Sequence, residues 1–145
     1  MGRIIGIDYG RKRVGVAASD PLGIFATPLG CVPSAKIVEY LKNYAQKETI
    51  DLFVVGNPKN LNNLPSENAK YVEMFVKHLR KEFPQLPIQM EDERFTTTIA
   101  QRAMIEGGMK KSQRSRKGAA DAISAVLILQ SYIDRSNNVL KQQNL

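Results

Sequence analysis

Three acidic residues stand in dissimilar settings along this 145-residue chain. Asp8 closes the apolar run of IIGIDYG, Glu93 lies in MEDERFTT after the short run LPIQM, and Asp121 opens the amphipathic stretch DAISAVLILQSYI. Taken singly, such acids are ordinary solvated surface. A fold that brings the three together could hold Mg²⁺ or Mn²⁺, because hard divalent cations take carboxylate oxygens and water. Two such ions can clamp the attacking and leaving oxygens of a phosphodiester during in-line hydrolysis. Metal-dependent cleavage of nucleic acid is the chemistry this combination predicts.

Each acid also has a plainer explanation. Asp8 follows Ile4, Ile5 and Ile7, and a buried, unpaired carboxylate there would be costly, so it needs a cation, hydrogen bonds or a strand end. Gly6 and Gly10 leave room for a phosphate or a second backbone. The competing role for Asp8 is a local turn with the Gly10 amide. Glu91, Asp92 and Glu93 form an acidic cluster ahead of Arg94, and strand alternation does not choose between Asp92 and Glu93. Arg94 can pair with an acid or reach a phosphate, and Thr96–Thr98 can cap a helix. Helical spacing sets Asp121 with Ser124 or Ala125 and with Ile128, while Ala120 and Ala125 allow a close approach to a sheet. The helix dipole alone would also favour Asp121. No activated Ser, Cys or Lys nucleophile is evident, and His78 reads as a helix-surface residue. The nucleophile expected is therefore water activated by the metal.

The net charge of +7 and pI near 9.6 suit a polyanionic partner. Arg11, Lys12 and Arg13 form one basic group; Lys110, Lys111, Arg114, Arg116 and Lys117 form another. The second has no interleaved aromatic residue, so it predicts phosphate contact rather than base stacking. Arg11, Lys12, Arg94 and the second group are the candidate nucleic-acid contacts. The single cysteine, Cys31, excludes an internal disulfide and, with one histidine, a His/Cys zinc site; it reads as a small core residue. The start of the chain has no signal-peptide pattern, and no run approaches 18 apolar residues, so a cytosolic protein without a membrane span is expected. The P-loop and GxGxxG patterns are absent. Strand ends like GIDYG also occur in two-lobed ATPases, but this chain is too short for a second lobe.

The elements that must position these residues can be placed in outline. Strands are predicted over 3–9, 13–19 and 24–32, linked so closely that they must be antiparallel hairpins. A helix capped by Ser34 follows over 35–47, with Ile37, Val38, Leu41, Tyr44 and Ala45 on one side. The continuous apolar run 51–56 reads as a buried central strand, and the polar loop 57–64 follows it. A helix from Pro65 to about Phe83 buries Ala69, Val72, Phe75, Val76 and Leu79. Residues 88–91 form a fifth strand, and a helix from Thr96 or Thr97 ends at Gly107-Gly108. The last helix, 117–133, shows Ala120, Ile123, Val126, Leu127 and Leu129 on a broad apolar face. One domain over 1–134 and a disordered polar tail over 135–145 are expected. This order of elements is that of the ribonuclease H-like fold, an α/β mixed five-stranded sheet flanked by helices.

Four segments in sequence carry a resemblance over about 3–134: IIGIDYGRKRVGVAASDPLGIFATPL, VVGNP, EDERFTTTIA, and Asp121 with AISAVLILQSYID. They resemble the YqgF/RuvX family of Holliday junction resolvase-like proteins, also described as pre-16S rRNA nucleases. The resemblance implies a metal-binding catalytic triad of Asp8, Glu93 and Asp121, choosing Glu93 over Asp92. It also implies maturation of the 5′ end of 16S rRNA on structured pre-rRNA, with ribosomal particles as partners and branched DNA as the alternative substrate. A non-catalytic nucleic-acid-binding factor in ribosome maturation or transcription is the competing class. The loop NPKNLNNLPSEN departs from the family in having Asn57 and no glycine. A monomer or weak homodimer is expected.

Overall fold

The computed structural model describes residues 2–57, 68–92 and 117–143, with side chains over 122–136 in the last stretch. β1 (Arg3–Tyr9), β2 (Arg13–Ser19) and β3 (Ala26–Pro33) are followed by a 3₁₀ turn (Ser34–Lys36) and α1 (Ile37–Lys47). β4 (Ile50–Asn57), α2 (Ala69–Glu82), β5 (Ile88–Asp92) and α3 (Lys117–Gln143) complete the described elements. The five strands form one sheet in the order β3-β2-β1-β4-β5. β1 pairs antiparallel with β2 and parallel with β4, while β5 extends the parallel half. The mixed α/β sheet is therefore the one expected, with β1 at its centre.

Alternation along the strands divides the apolar residues between two faces. Ile5, Ile7, Val14, Val16, Phe53 and Val55 join Ile37, Leu41, Val72, Phe75, Val76 and Leu79 in the larger core, beneath α1 and α2. Ala17 and Val54 join Ala125, Ile128, Leu129 and Ile133 in the smaller core, beneath α3. Burying each of the larger side chains contributes about 1.5–3 kcal/mol. Small residues on the second face let α3 lie directly on the sheet. A Cβ added to Gly6 would stand 2.6 Å from the Leu129 Cβ and 2.9 Å from the Ala125 carbonyl oxygen. Gln130 also ties α3 to the hairpin, accepting from the Ala26 amide and donating to the Ile24 carbonyl.

Several expectations are corrected. β3 begins at Ala26 rather than Ile24, because the Ile24 and Phe25 amides donate to the Asp20 carboxylate at the preceding turn. Ser34 makes no capping bond; its hydroxyl donates to the Arg11 carbonyl, and a 3₁₀ turn precedes α1. Cys31 is half-buried on the edge strand β3, rather than within a core. The buried stripe of α3 is Ala122, Ala125, Ile128, Leu129 and Ile133, rotated from the one expected. That helix is apolar nearly all round over 122–129, which hides its inward side from a periodicity reading. It also runs on to Gln143, since neither Gly nor Pro interrupts it after Ile133, so residues 135–143 are helical rather than a disordered tail. The helix expected over 96–106, the loop 58–64 and the start of the helix at Pro65 lie outside the described residues. Among the described residues, no helix is long and apolar enough to cross a membrane.

Candidate active site

Asp8 is the second-last residue of β1 and is half-buried. It pairs with Gly15 across the hairpin. On its other side the parallel ladder matches Ile7 with Val55, so the next step brings Asp8 level with Gly56. Gly56 in turn pairs with Glu91 of β5. Asp8, Gly56 and Glu91 thus form one row across three neighbouring strands at the carboxyl end of the parallel half. Alternation puts this row on the α3 face, with Gly6 and Val54. Glycine separates two carboxylates whose Cα atoms are about 10 Å apart, two strand spacings.

α3 covers this face one layer above. Ala125 sits over Gly6, and Asp121 lies one helical turn before Ala125 in the same helix. The local turn proposed as an alternative for Asp8 is not needed to satisfy Gly10, whose amide donates to the Arg13 carbonyl at 2.9 Å. Among the described residues no three His, Cys, Asp or Glu side chains gather as a metal cluster. Asp8 is the one expected ligand with a described side chain; Glu93 and the Asp121 side chain lie outside the description.

Glu91 is only 5% exposed. The Arg135 guanidinium comes to 3.0 Å from its Oε2, yet among the described residues that oxygen accepts no well-formed hydrogen bond. Burial pushes the Glu91 carboxyl up from its ordinary value, with Arg135 opposing that shift. The pair joins the later part of α3 to the end of β5.

On the other side of Asp8 the β1–β2 turn is basic. Arg11, Lys12 and Arg13 are exposed and, with Gly10, line an open cavity of about 500 Å³. The Ser34 amide donates to the Lys12 carbonyl, and the Asn68 side chain donates to the Tyr9 carbonyl at 2.8 Å. The Arg11 guanidinium lies over the Tyr71 ring, 4.9 Å from its centroid. Arg94, Lys110, Lys111, Arg114 and Arg116 lie outside the described residues, as does the Lys117 side chain. His78 lies on α2 as expected, more than half exposed and 3.5 Å from Glu82.

The family described as RuvX: Holliday junction resolvase matches residues 2–135. This chain belongs to the RuvX family. A "Putative pre-16S rRNA nuclease" of Parabacteroides distasonis is 55% identical over 134 residues, covering 92% of this chain and 96% of the relative. One of the same name from Bacteroides fragilis is 46% identical over 134 residues, covering 92% and 97%. Among solved structures, Thermus thermophilus RuvC in complex with Holliday junction substrate covers 94% of this chain and 96% of its own at 16% identity, with a TM-score of 0.56. The yeast mitochondrial Holliday junction resolvase Ydc2 covers 97% and 84% at 12% identity, with a TM-score of 0.52. At these identities the structural likeness carries the fold, which is the ribonuclease H-like one.

Two features of this RuvX chain escaped the sequence. Glu91 was grouped with its acidic neighbours, whereas its partner Arg135 is 44 residues away and gave no local signal. Tyr71 precedes the buried Val72 and had no apparent role until α2 placed it beside Arg11.

Proposed function

We propose that this RuvX protein is a divalent-metal-dependent endonuclease that hydrolyses phosphodiester bonds in maturing the 5′ end of pre-16S rRNA. The observation that carries the reading is the position of Asp8. It stands at the carboxyl end of the central strand, level with Gly56, on the face covered by the helix that carries Asp121. Asp8, Glu93 and Asp121 are assigned as metal ligands and catalytic residues. Glu93 is preferred to Asp92 because the family resemblance chooses it, and because strand alternation turns Asp92 to the face opposite Asp8. An all-carboxylate set suits Mg²⁺ or Mn²⁺. When bound, such a cation would stabilise charge on the phosphate and ease deprotonation of the attacking water.

The chain's own contribution is placement. β1 and β5 are neighbours of β4, so their carboxyl ends are held by the sheet, and the close seat of α3 on Gly6 limits its movement. Arg11 and Lys12, on the turn that follows β1, are assigned to phosphate contact, together with Arg94, Lys110, Lys111, Arg114, Arg116 and Lys117. The names of the relatives support pre-rRNA as substrate; ribosomal particles in the cytoplasm are assigned as its setting. The family description favours a second reading, resolution of four-way DNA. The purified protein should be given structured pre-rRNA and a four-way DNA junction with Mg²⁺ or Mn²⁺, while its mass in solution is measured. Metal-dependent cleavage of the RNA by a monomer is expected. Paired symmetric nicks by a dimer with inert RNA would establish the second reading, and binding without cleavage of either would leave a non-catalytic factor.

A further inference from the structure

We propose that the β1–β2 turn and the adjoining face of α2 form a nucleotide subsite, in which the turn takes a phosphate and Tyr71 stacks an unpaired base. The proposal rests on nucleic acid being the ligand, and not on cleavage. Tyr71 is 39% exposed and Met74, one turn further along α2, is 60% exposed. The core stripe of this helix is Val72, Phe75, Val76 and Leu79, so packing does not require either of them to be apolar. The Tyr71 ring adjoins the exposed basic turn through Arg11.

The two halves are held in register before any ligand arrives. The Tyr9 and Phe75 rings stack with centroids 4.5 Å apart, and the Asn68 amide binds the Tyr9 carbonyl, which fixes α2 against the end of β1. The turn is anchored through the Ser34 hydroxyl and amide, bonded to the carbonyls of Arg11 and Lys12. A guanidinium over a tyrosine ring makes a flat cationic platform, and a base can extend that stack while its phosphate lies in the cavity at Gly10 to Arg13. Positive charge combined with an aromatic platform is how single strands are bound without sequence preference. A paired base already has both faces covered by its neighbours in the helix, so the subsite selects an unpaired nucleotide. Arg11 is three residues from Asp8, at most about 10 Å along the chain, while Tyr71 belongs to α2, on the sheet face opposite the one to which Asp8 turns.

The test uses short RNA carrying 2-aminopurine, either single-stranded or as a blunt duplex, without divalent metal so that nothing is cut. Wild type and Tyr71→Phe should quench the single-strand fluorescence as the labelled base stacks. Tyr71→Ala and Tyr71→Leu should lose that quenching and bind the single strand about five-fold or more weakly, with duplex affinity unchanged. Circular dichroism of each variant confirms the fold, and the leucine retains apolar bulk without a π face. Quenching that survives in Tyr71→Ala, full binding by Tyr71→Leu, or equal losses on single strand and duplex would each overturn the subsite. A protein that quenches but cuts nothing once metal is added would uphold the subsite and refute only the nuclease assignment.

Discussion

Arg135 reaches across from the last helix to the Glu91 carboxylate, 3.0 Å away, on the strand that leads into Glu93. Glu91 is buried, while the Arg135 side chain is 60% exposed, so the pair lies between the surface and interior cases. Arg135→Ala should therefore cost about 1–2 kcal/mol, above a surface pair and below a fully buried one. Glu91→Gln should cost less, because it removes the stranded charge along with the attraction. The double variant should be more stable than Arg135→Ala alone, and urea unfolding of the four proteins measures the coupling.

Gly6→Ala should be a damaging single-methyl change in the sheet. The added Cβ would meet the Leu129 Cβ and the Ala125 carbonyl well inside contact distance, one of them backbone. Overpacking of this kind costs about 1–3 kcal/mol, and relief requires α3 to lift from the sheet. If Asp121 belongs to the metal centre, cleavage should fall further than the stability loss explains. Activity measured well below the melting temperature separates the two effects.

Asp8→Asn should lower cleavage by at least about 100-fold, beyond the 10–100-fold typical of outer-shell partners of a metal. The fold and nucleic-acid affinity should persist. Chelation should silence the wild type, and added Mg²⁺ or Mn²⁺ should restore it but not the variant. Equal activity in the two proteins after a contaminant check would refute the assignment of Asp8.

Neutralising Lys110, Lys111, Arg114 and Arg116 together should weaken binding to any long nucleic acid. If all four contact phosphates, the slope of log affinity against log salt should shrink by about 3, at roughly 0.7–0.9 per contact released. An unchanged slope would make that segment ordinary solvated surface.

The β2–β3 turn should respond to acid. The Phe25 and Ile24 amides donate to Asp20 at 2.9 and 2.8 Å, favouring the charged carboxylate and lowering its pKa from the ordinary 3.8. The stabilisation is fully present above that ordinary value and is lost as pH falls through the lowered one. Protection of the Ile24 and Phe25 amides, corrected for intrinsic exchange, should decline on acidification in the wild type. Asp20→Asn should show little such pH dependence.

Most of the sheet was legible because its signals are local. Short apolar runs, tight turns and the Asp20-Pro21-Leu22-Gly23 break place all five strands to within two residues at either end. Ser34 misled because a capping residue type says nothing of a carbonyl on a distant turn, and Arg11 claimed its hydroxyl. The stripe of α3 was misassigned because 122–129 offers apolar residues on nearly every side. For the candidate site, the sequence exposed the acids, but their grouping depends on register. Gly56 between Asp8 and Glu91 is visible only once β1, β4 and β5 are aligned. The Arg135–Glu91 and Arg11–Tyr71 pairs join residues far apart in the chain, which no periodicity records.

The order of the sheet also has a consequence during synthesis. Every described strand is complete by Asp92, and among the described residues the face bearing Gly6, Ala17 and Val54 gains its cover from residues 122–133 of α3. At about 5–20 residues per second, the emerging chain carries that apolar face for several seconds after β4 has been made. During this interval it is open to chaperones and to other nascent chains. Delivery of the last helix, after the described strands have been made, closes the part of that face lying under Ala125, Ile128, Leu129 and Ile133.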